Sequence, residues 1–308
     1  MSDWVKYNNG NYTVAIDLSN GTKVRYNKED KFVPTTIENF DYKITNRCDM
    51  NCPFCFESSS VKGKHADIMN QKFIDSLHPY TEISIGGGNP LCHPQLIQFL
   101  EKCKKLKLIP NITVNQIHFE RNQELIERLV SGKLVYGVGV SLVEPTQSFI
   151  ELVKKYSNVV IHVINGVITE HQLNMLYGHN LKILVLGYKE LGRGESLYRN
   201  VTNIIDDRKD MLKHSIEYMI KNKMFNVVSF DNRALQQLDI KSILPKEQWD
   251  VFYMGDDGID GEYTSASMFI DGVKEQFALN SCSSKRYKLM DNINDMFAFL
   301  KKENNREV

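Results

Sequence analysis

Three cysteines crowd into eight consecutive positions, Cys48-Asp-Met-Asn-Cys52-Pro-Phe-Cys55, separated by three residues and then by two. Thiolates are soft ligands that suit iron. Three of them on one short loop can wrap three corners of a cubane iron-sulfur cluster and leave the fourth iron without a protein ligand. An iron left open in this way is a catalytic feature. A structural zinc site needs four protein ligands, and Cys92 with His93, or His65, is not spaced as a second ligand pair. The spacing therefore predicts one 4Fe-4S cluster on Cys48, Cys52 and Cys55. A zinc module and an unligated cysteine loop are the alternatives. Cys103 falls on the apolar stripe of a predicted helix and is expected to pack as a small hydrophobe, and packing is the expectation for Cys92 too.

The cysteines must be positioned by the elements around them. Short apolar runs at 41–45, 82–86, 111–115, 134–142, 158–164 and 181–187 alternate with amphipathic patterns at about 68–78, 93–107, 120–131, 145–156, 169–178 and 206–223. Strands joined by helical crossovers pair in parallel, so the rhythm predicts an α/β fold built on a partial (β/α)6 barrel. In such folds chemistry gathers at the C-terminal ends of the strands, and the cysteine loop follows the first run directly. Upstream, YTVAIDL and TKVRYN flank Ser19-Asn20-Gly21, which predicts a β-hairpin over 11–27. Downstream of about residue 225 come NVVSFDN, the Gly- and Asp-rich GDDGIDGEYT, a second hairpin in MFIDGVKEQFALNS and a short helix in INDMFAFLKKENN. The expected organisation is an N-terminal hairpin segment over 1–38, a β/α core over 39–225 and a mixed α/β extension over 226–308 that caps the barrel.

A CxxxCxxC motif after the first strand of a six-unit β/α pattern resembles the radical S-adenosylmethionine (radical SAM) enzymes. Phe54 stands just before the last cysteine, where that family usually carries an aromatic residue beside the adenine. Gly86-Gly87-Gly88-Asn89-Pro90-Leu91, after the second strand, looks like the family's Gly-Gly-Glu-Pro-Leu stretch, whose backbone meets the methionine amine. Asn89 departs from the pattern: its amide oxygen can accept from the ammonium, without the charge assistance of a carboxylate. The resemblance also implies cofactor contacts for Asn115, Ser141 and Asn165 at later strand ends, for Leu186 with Gly187 against the adenine, and for Arg193 toward ribose or carboxylate. It implies S-adenosylmethionine as cofactor, and a flavodoxin- or ferredoxin-type protein as electron donor. The expected reaction is reductive cleavage of the cofactor to methionine and a 5′-deoxyadenosyl radical, which takes hydrogen from an unidentified substrate, a peptide or a small molecule. Further clusters in this family need four or more additional cysteines, and here only Cys282 lies beyond residue 103. Cys282, in FALNSCSSKRY, reads as a loop or edge cysteine or as a thiol that returns a hydrogen atom to a substrate radical. A non-catalytic iron-sulfur or zinc-binding module is the competing class.

Composition bounds the rest. The 308 residues are 42% hydrophobic and 25% charged, as in folded globular proteins. Thirty-eight basic residues balance 38 acidic ones, so bulk charge draws the chain neither to nucleic acid nor to an anionic membrane, and neither is an expected partner. The start, MSDWVKYNNGNYTV, lacks the basic and apolar regions of a signal peptide, and no apolar run approaches the roughly 20 residues of a membrane span. A cytoplasmic location is the expectation.

Overall fold

The computed structural model describes residues 3–29, 32–252 and 266–304. The GDDGIDGEYT stretch lies outside the described residues. Strands β1 (Trp4–Asn9), β2 (Tyr12–Asp17) and β3 (Lys23–Tyr26) form an antiparallel sheet, so the predicted hairpin is β2–β3 with one strand added before it. Gly21 adopts φ +80 in its turn, the left-handed conformation that makes Asn-Gly a hairpin signal.

The six predicted parallel strands are all present: β4 (Asn39–Thr45), β5 (Glu82–Gly87), β6 (Ile109–Asn115), β7 (Gly137–Ser141), β8 (Val159–Ile164) and β9 (Lys182–Leu186). Their crossovers are α1 (Leu96–Lys105), α2 (Gln116–Arg121) with α3 (Gln123–Ser131), α4 (Gln147–Lys154), α5 (Glu170–Leu176) and α6 (Arg193–Lys221). Alternate residues such as Tyr42, Ile85, Val114, Val140, Ile161 and Val185 join these helices in one large apolar core. The sheet's other face is polar, and it carries Asp41, Lys43, Ser84, Asn111, Thr113 and His162.

Two expectations change. The segment 68–78 forms only a short 3-10 turn at Lys72–Ser76. The layer that a full helix would have supplied comes from α10 (Ile293–Asn304) near the C-terminus. Its Ile293 N–H donates to Ser76 Oγ at 2.9 Å, and Met296 and Phe297 share the core with Phe73 and Ile74. The last crossover begins earlier than its apolar periodicity, because α6 bends at Val201 and the regular stripe starts beyond that bend.

The sheet also grows at both edges. After α6, β10 (Val227–Phe230) pairs in parallel with β9 and is followed by α7 (Asn232–Gln237), α8 (Ile240–Ile243) and α9 (Lys246–Phe252). Strand β11 (Ser267–Asp271) pairs in parallel with β4, and β12 (Gln276–Ala278) and β13 (Tyr287–Lys288) continue antiparallel beyond it. The predicted second hairpin is β11–β12.

The N-terminal sheet sits at the strands' N-terminal ends. Tyr7, Tyr12, Val14 and Ile16 pack with Ile109, the first residue of β6, and with Tyr80 and Tyr136 just before β5 and β7. Glu38, fully buried before β4, accepts from Arg25 Nε at 2.9 Å and from the Tyr12 hydroxyl at 2.5 Å. The opposite ends of the strands are left to the cysteine loop.

Candidate active site

Cys48, Cys52 and Cys55 are half-buried free thiols on the loop after β4. Short backbone bonds set the loop's shape: Cys55 N–H donates to the Cys52 carbonyl at 3.2 Å, and Cys48 N–H to the Ser60 carbonyl at 2.9 Å. Arg193, the first residue of α6, lies across it. Its backbone N–H donates to the Cys55 carbonyl at 3.0 Å, its Nε to Cys52 and its Nη1 to Ser59, both at 2.9 Å. Glycines on either side permit this approach: a Cβ on Gly192 would fall 2.5 Å from the Phe56 oxygen, and one on Gly194 3.2 Å from that of Phe54.

Burial raises the pKa of the Cys48 and Cys52 thiols, and the negative charge of the neighbouring thiols adds to that rise while Arg193 opposes it. A cation bound beside these thiols would favour their ionised form. The three sulfurs do not converge on one point, since among the described residues the one group of three ligand atoms within 4.8 Å is Cys48, Asp49 and His118. There His118 Nε2 already meets the Asp49 carboxylate at 2.5 Å, which holds that carboxyl below its usual range. Ligands to different irons of one cluster need not converge as ligands to a single ion must, so the donor set fits a multi-iron group. The histidines considered as zinc partners are engaged elsewhere, His65 with Thr45 Oγ1 and His93 with the Ala66 carbonyl, each at 2.9 Å.

The Gly86–Pro90 segment lies directly against the residues that precede Cys48. Gly88 N–H donates to the Thr45 carbonyl and Asn89 N–H to that of Arg47, both at 2.7 Å. A Cβ on Gly87 or Gly88 would stand 2.3 Å from those same carbonyls, whereas one on Gly86 would meet nothing within 4 Å. Asn89 is buried, and its Oδ1 caps the short turn Pro90–Cys92 by accepting from Leu91 N–H at 3.1 Å. Cys92 ends that turn with its thiol bonded to the Asn89 carbonyl at 3.0 Å, so it is exposed instead of packed. Cys103 is buried in the core, and burial pushes its thiol up to about 12.

Cys52, Phe54 and Asn115 line a cavity of about 550 Å³ together with Leu142, Ile164 and Val167. Asn115 also caps α2 through Ile117 N–H at 2.9 Å, and it pairs in register with Ser141. Asn165 N–H donates to the Leu186 carbonyl at 2.8 Å, and its buried Oδ1 finds no protein partner among the described residues. Gly187, next along β9's exit, presses on Arg233 of α7. The predicted residues of the core thus collect at one end of β4–β9, and Ser281, the neighbour of Cys282, meets Lys189 from the extension.

Several contributors carry no local sequence signal. Lys43 is buried between Glu57 of the cysteine loop and Asp271 of β11, the latter at 3.0 Å. Lys189 lies 4.1 Å over the Phe56 ring and donates to Ser281 Oγ at 2.9 Å, which joins the cysteine loop to the extension. On the polar face, the side chains of Asn111 and His162 lean across Gly137 and Gly139, where a Cβ would meet them at 2.8 and 2.3 Å. Asp41 is reached by solvent there yet enclosed by protein, and the enclosure pushes its carboxyl above the ordinary range while Lys189 opposes.

Comparison with known proteins agrees with this arrangement. Residues 42–165 match the model of the Radical SAM superfamily. Residues 42–165 thus carry a Radical SAM domain, the domain of an enzyme class. An 80-residue segment is 22% identical to the PqqA peptide cyclase of Gluconobacter oxydans (strain 621H), covering 24% of this chain and only 22% of that relative's length. The fold is similar to that of Streptococcus suis SuiB. Its complex with the precursor peptide SuiA matches at TM-score 0.58 and 11% identity, over 90% of this chain and 82% of that one. Its complex with S-adenosylmethionine matches at TM-score 0.56 and 12% identity, over 94% and 85%. Among the described residues no helix is long and apolar enough to cross a membrane.

Proposed function

We propose that this protein binds one 4Fe-4S cluster on Cys48, Cys52 and Cys55, binds S-adenosylmethionine beside it, and modifies a peptide. The observation that carries the reading is the set of three free thiols on one loop, of which Cys52 lines a cavity with Phe54 and Asn115. When bound, the cluster supplies the electron that cleaves the cofactor to methionine and a 5′-deoxyadenosyl radical.

This chain's residues bind and orient. The backbone of Gly86–Gly88 and the second lone pair of Asn89 Oδ1 receive the methionine amine. The open space at Gly86 gives it room, and Ser141 is placed to hold the carboxylate. Phe54, Asn115, Ile164 and Leu186 hold the adenosine, with the unpaired Asn165 Oδ1 as an acceptor at its edge. Arg193 we assign to the cysteine loop, since its guanidinium is committed to the Cys52 and Ser59 carbonyls. To Cys282 we assign the return of a hydrogen atom to the substrate.

A peptide is favoured over a small metabolite because both the cyclase and the peptide-bound neighbour act on or hold peptides. The N-terminal sheet is not assigned to peptide binding, because it lies at the end of the strands away from the cysteines. The test is anaerobic iron and sulfide loading of the parent and of Cys48→Ala, Cys52→Ala and Cys55→Ala. The parent should be brown, bind S-adenosylmethionine and release 5′-deoxyadenosine with a strong reductant, and each variant should lose iron. A colourless parent that retains zinc would support the non-catalytic module instead.

A further inference from the structure

We propose that the turn at residues 59–64 is the docking face for a small acidic flavoprotein that delivers the electron. The proposal rests on the cluster reading above. Among the described residues Val61 is the most exposed large hydrophobic residue, at 60%. Lys62 and Lys64 follow it, and Arg47 on the β4 exit pairs with Ser60 before it, all three exposed and none in an ion pair among the described residues. Of the nearby acids, Glu57 is paired with Lys43 and Asp49 with Arg121, and the exposed Asp67, which accepts from Asn70, is the one acid outside an ion pair among the described residues to set against Arg47, Lys62 and Lys64. On a chain of zero net charge this leaves a local basic rim around one apolar residue.

The turn is also fixed to the cysteine loop. Ser60 N–H donates to the Asn46 carbonyl at 3.0 Å, Asn46 N–H to Lys64 at 2.8 Å, and Gly63 N–H closes the turn on Ser60 at 3.0 Å. Gly63 is required for that approach, since a Cβ there would lie 2.0 Å from the Asn46 oxygen. The Ser60 carbonyl, one residue from Val61, accepts the Cys48 N–H at 2.9 Å. A carrier seated on Val61 is thus one residue and one hydrogen bond from a cluster ligand.

Electron carriers use small, transient interfaces, in which charge steers the encounter and a small apolar centre settles it. A basic rim selects an acidic carrier. One electron passes from the carrier's reduced flavin to the cluster, the carrier is oxidised by one electron, and no atom is transferred.

The test uses the iron-loaded protein, purified flavodoxin as the probe, and the double variants Lys62→Glu/Lys64→Glu and Lys62→Arg/Lys64→Arg. Calorimetry with oxidised flavodoxin should show binding to the parent that weakens with salt. It should show binding about tenfold or more weaker in the Glu variant, and parent-like binding in the Arg variant. Bleaching of the cluster by reduced flavodoxin should slow in parallel, while bleaching by dithionite stays equal in all three. Equal flavodoxin binding and equal bleaching in the Glu variant and the parent would overturn the docking face. A parent that retains no iron, or that dithionite does not bleach, would overturn the cluster reading and the docking proposal with it.

Discussion

The guanidinium of Arg193 donates to the carbonyl of Cys52 across 2.9 Å, joining residues 141 apart in the chain. With Nη1 on Ser59 and the backbone N–H on Cys55, one residue satisfies three carbonyls of the cysteine loop. Arg193→Met removes two charge-assisted bonds, each worth about 1.5–3 kcal/mol in partly buried surroundings. The expected outcome is a loop that loads iron poorly although all three cysteines remain, seen as reduced iron per chain after identical reconstitution. Full iron content would show that the backbone alone shapes the loop.

Neighbouring glycines after β5 should respond differently to one methyl group. Gly87 has φ +112 and would drive a Cβ to 2.3 Å from the Thr45 carbonyl, so Gly87→Ala should cost about 1–3 kcal/mol and lower the melting temperature of the iron-free protein. Gly86 faces open space, so Gly86→Ala should melt like the parent. Its methyl enters the volume assigned to the cofactor amine, and S-adenosylmethionine binding should weaken. Equal binding by Gly86→Ala and parent would move the amine elsewhere.

The local parts of this site were legible in the sequence. The six strands, the cysteine loop and the Gly86–Pro90 segment announce themselves through periodicity and short motifs, because the same few residues form the element and carry the signal. What joins them does not. Lys43 meets Asp271 across 228 residues and Lys189 meets Ser281 across 92, and a lone lysine in a strand or loop has no pattern that points to so distant an acceptor. The missing first helix has the same origin. Residues 68–78 carry helical spacing, but α10 takes their place against the sheet, a choice made by tertiary packing.

Asn89 holds a turn as well as a place in the proposed cofactor site. Asn89→Ala removes the acceptor for Leu91 N–H and should cost about 0.5–2 kcal/mol, as for other lost caps. Asn89→Asp keeps the cap and restores a charge toward the ammonium, so calorimetry should show tighter S-adenosylmethionine binding at nearly unchanged stability. Unaltered affinity in Asn89→Asp would mean that backbone groups alone receive the amine.

The polar face of the sheet should give the folded protein an acid-sensitive step. Burial holds the imidazole of His162 neutral, with its pKa lowered to about 4, and its Nδ1 finds no protein partner among the described residues. In the unfolded chain the same group titrates near 6.5. Between those values the unfolded state binds a proton that the folded state does not, so stability falls as pH drops from about 6.5 to about 4 and levels off below. The loss is on the order of 3 kcal/mol. Denaturant melts across that range should show the slope in the parent and a shallower one in His162→Gln. Parallel slopes would assign the acid sensitivity to other groups.

Cys282 tests the assigned order of events at the site. Its neighbour Ser281 accepts from Lys189 at 2.9 Å, and Lys189 lies over Phe56, the residue after Cys55, so the extension brings this thiol toward the cysteine loop. A thiol there can give its hydrogen atom to a carbon radical, leaving a thiyl radical that one electron from the reductant and a proton restore, whereas a serine hydroxyl holds its hydrogen too strongly to do so. Cys282→Ser should therefore keep its iron, bind S-adenosylmethionine and form 5′-deoxyadenosine in the presence of a strong reductant, because those steps precede hydrogen return. With a peptide substrate in hand, mass spectrometry should show cofactor cleavage continuing while the modified peptide fails to accumulate. Loss of 5′-deoxyadenosine would place Cys282 before homolysis, in holding the extension over the cluster. Equal yields of modified peptide from Cys282→Ser and parent would remove the donor role and leave Cys282 as a loop residue fixed by its own N–H to Asn280 Oδ1 at 2.9 Å.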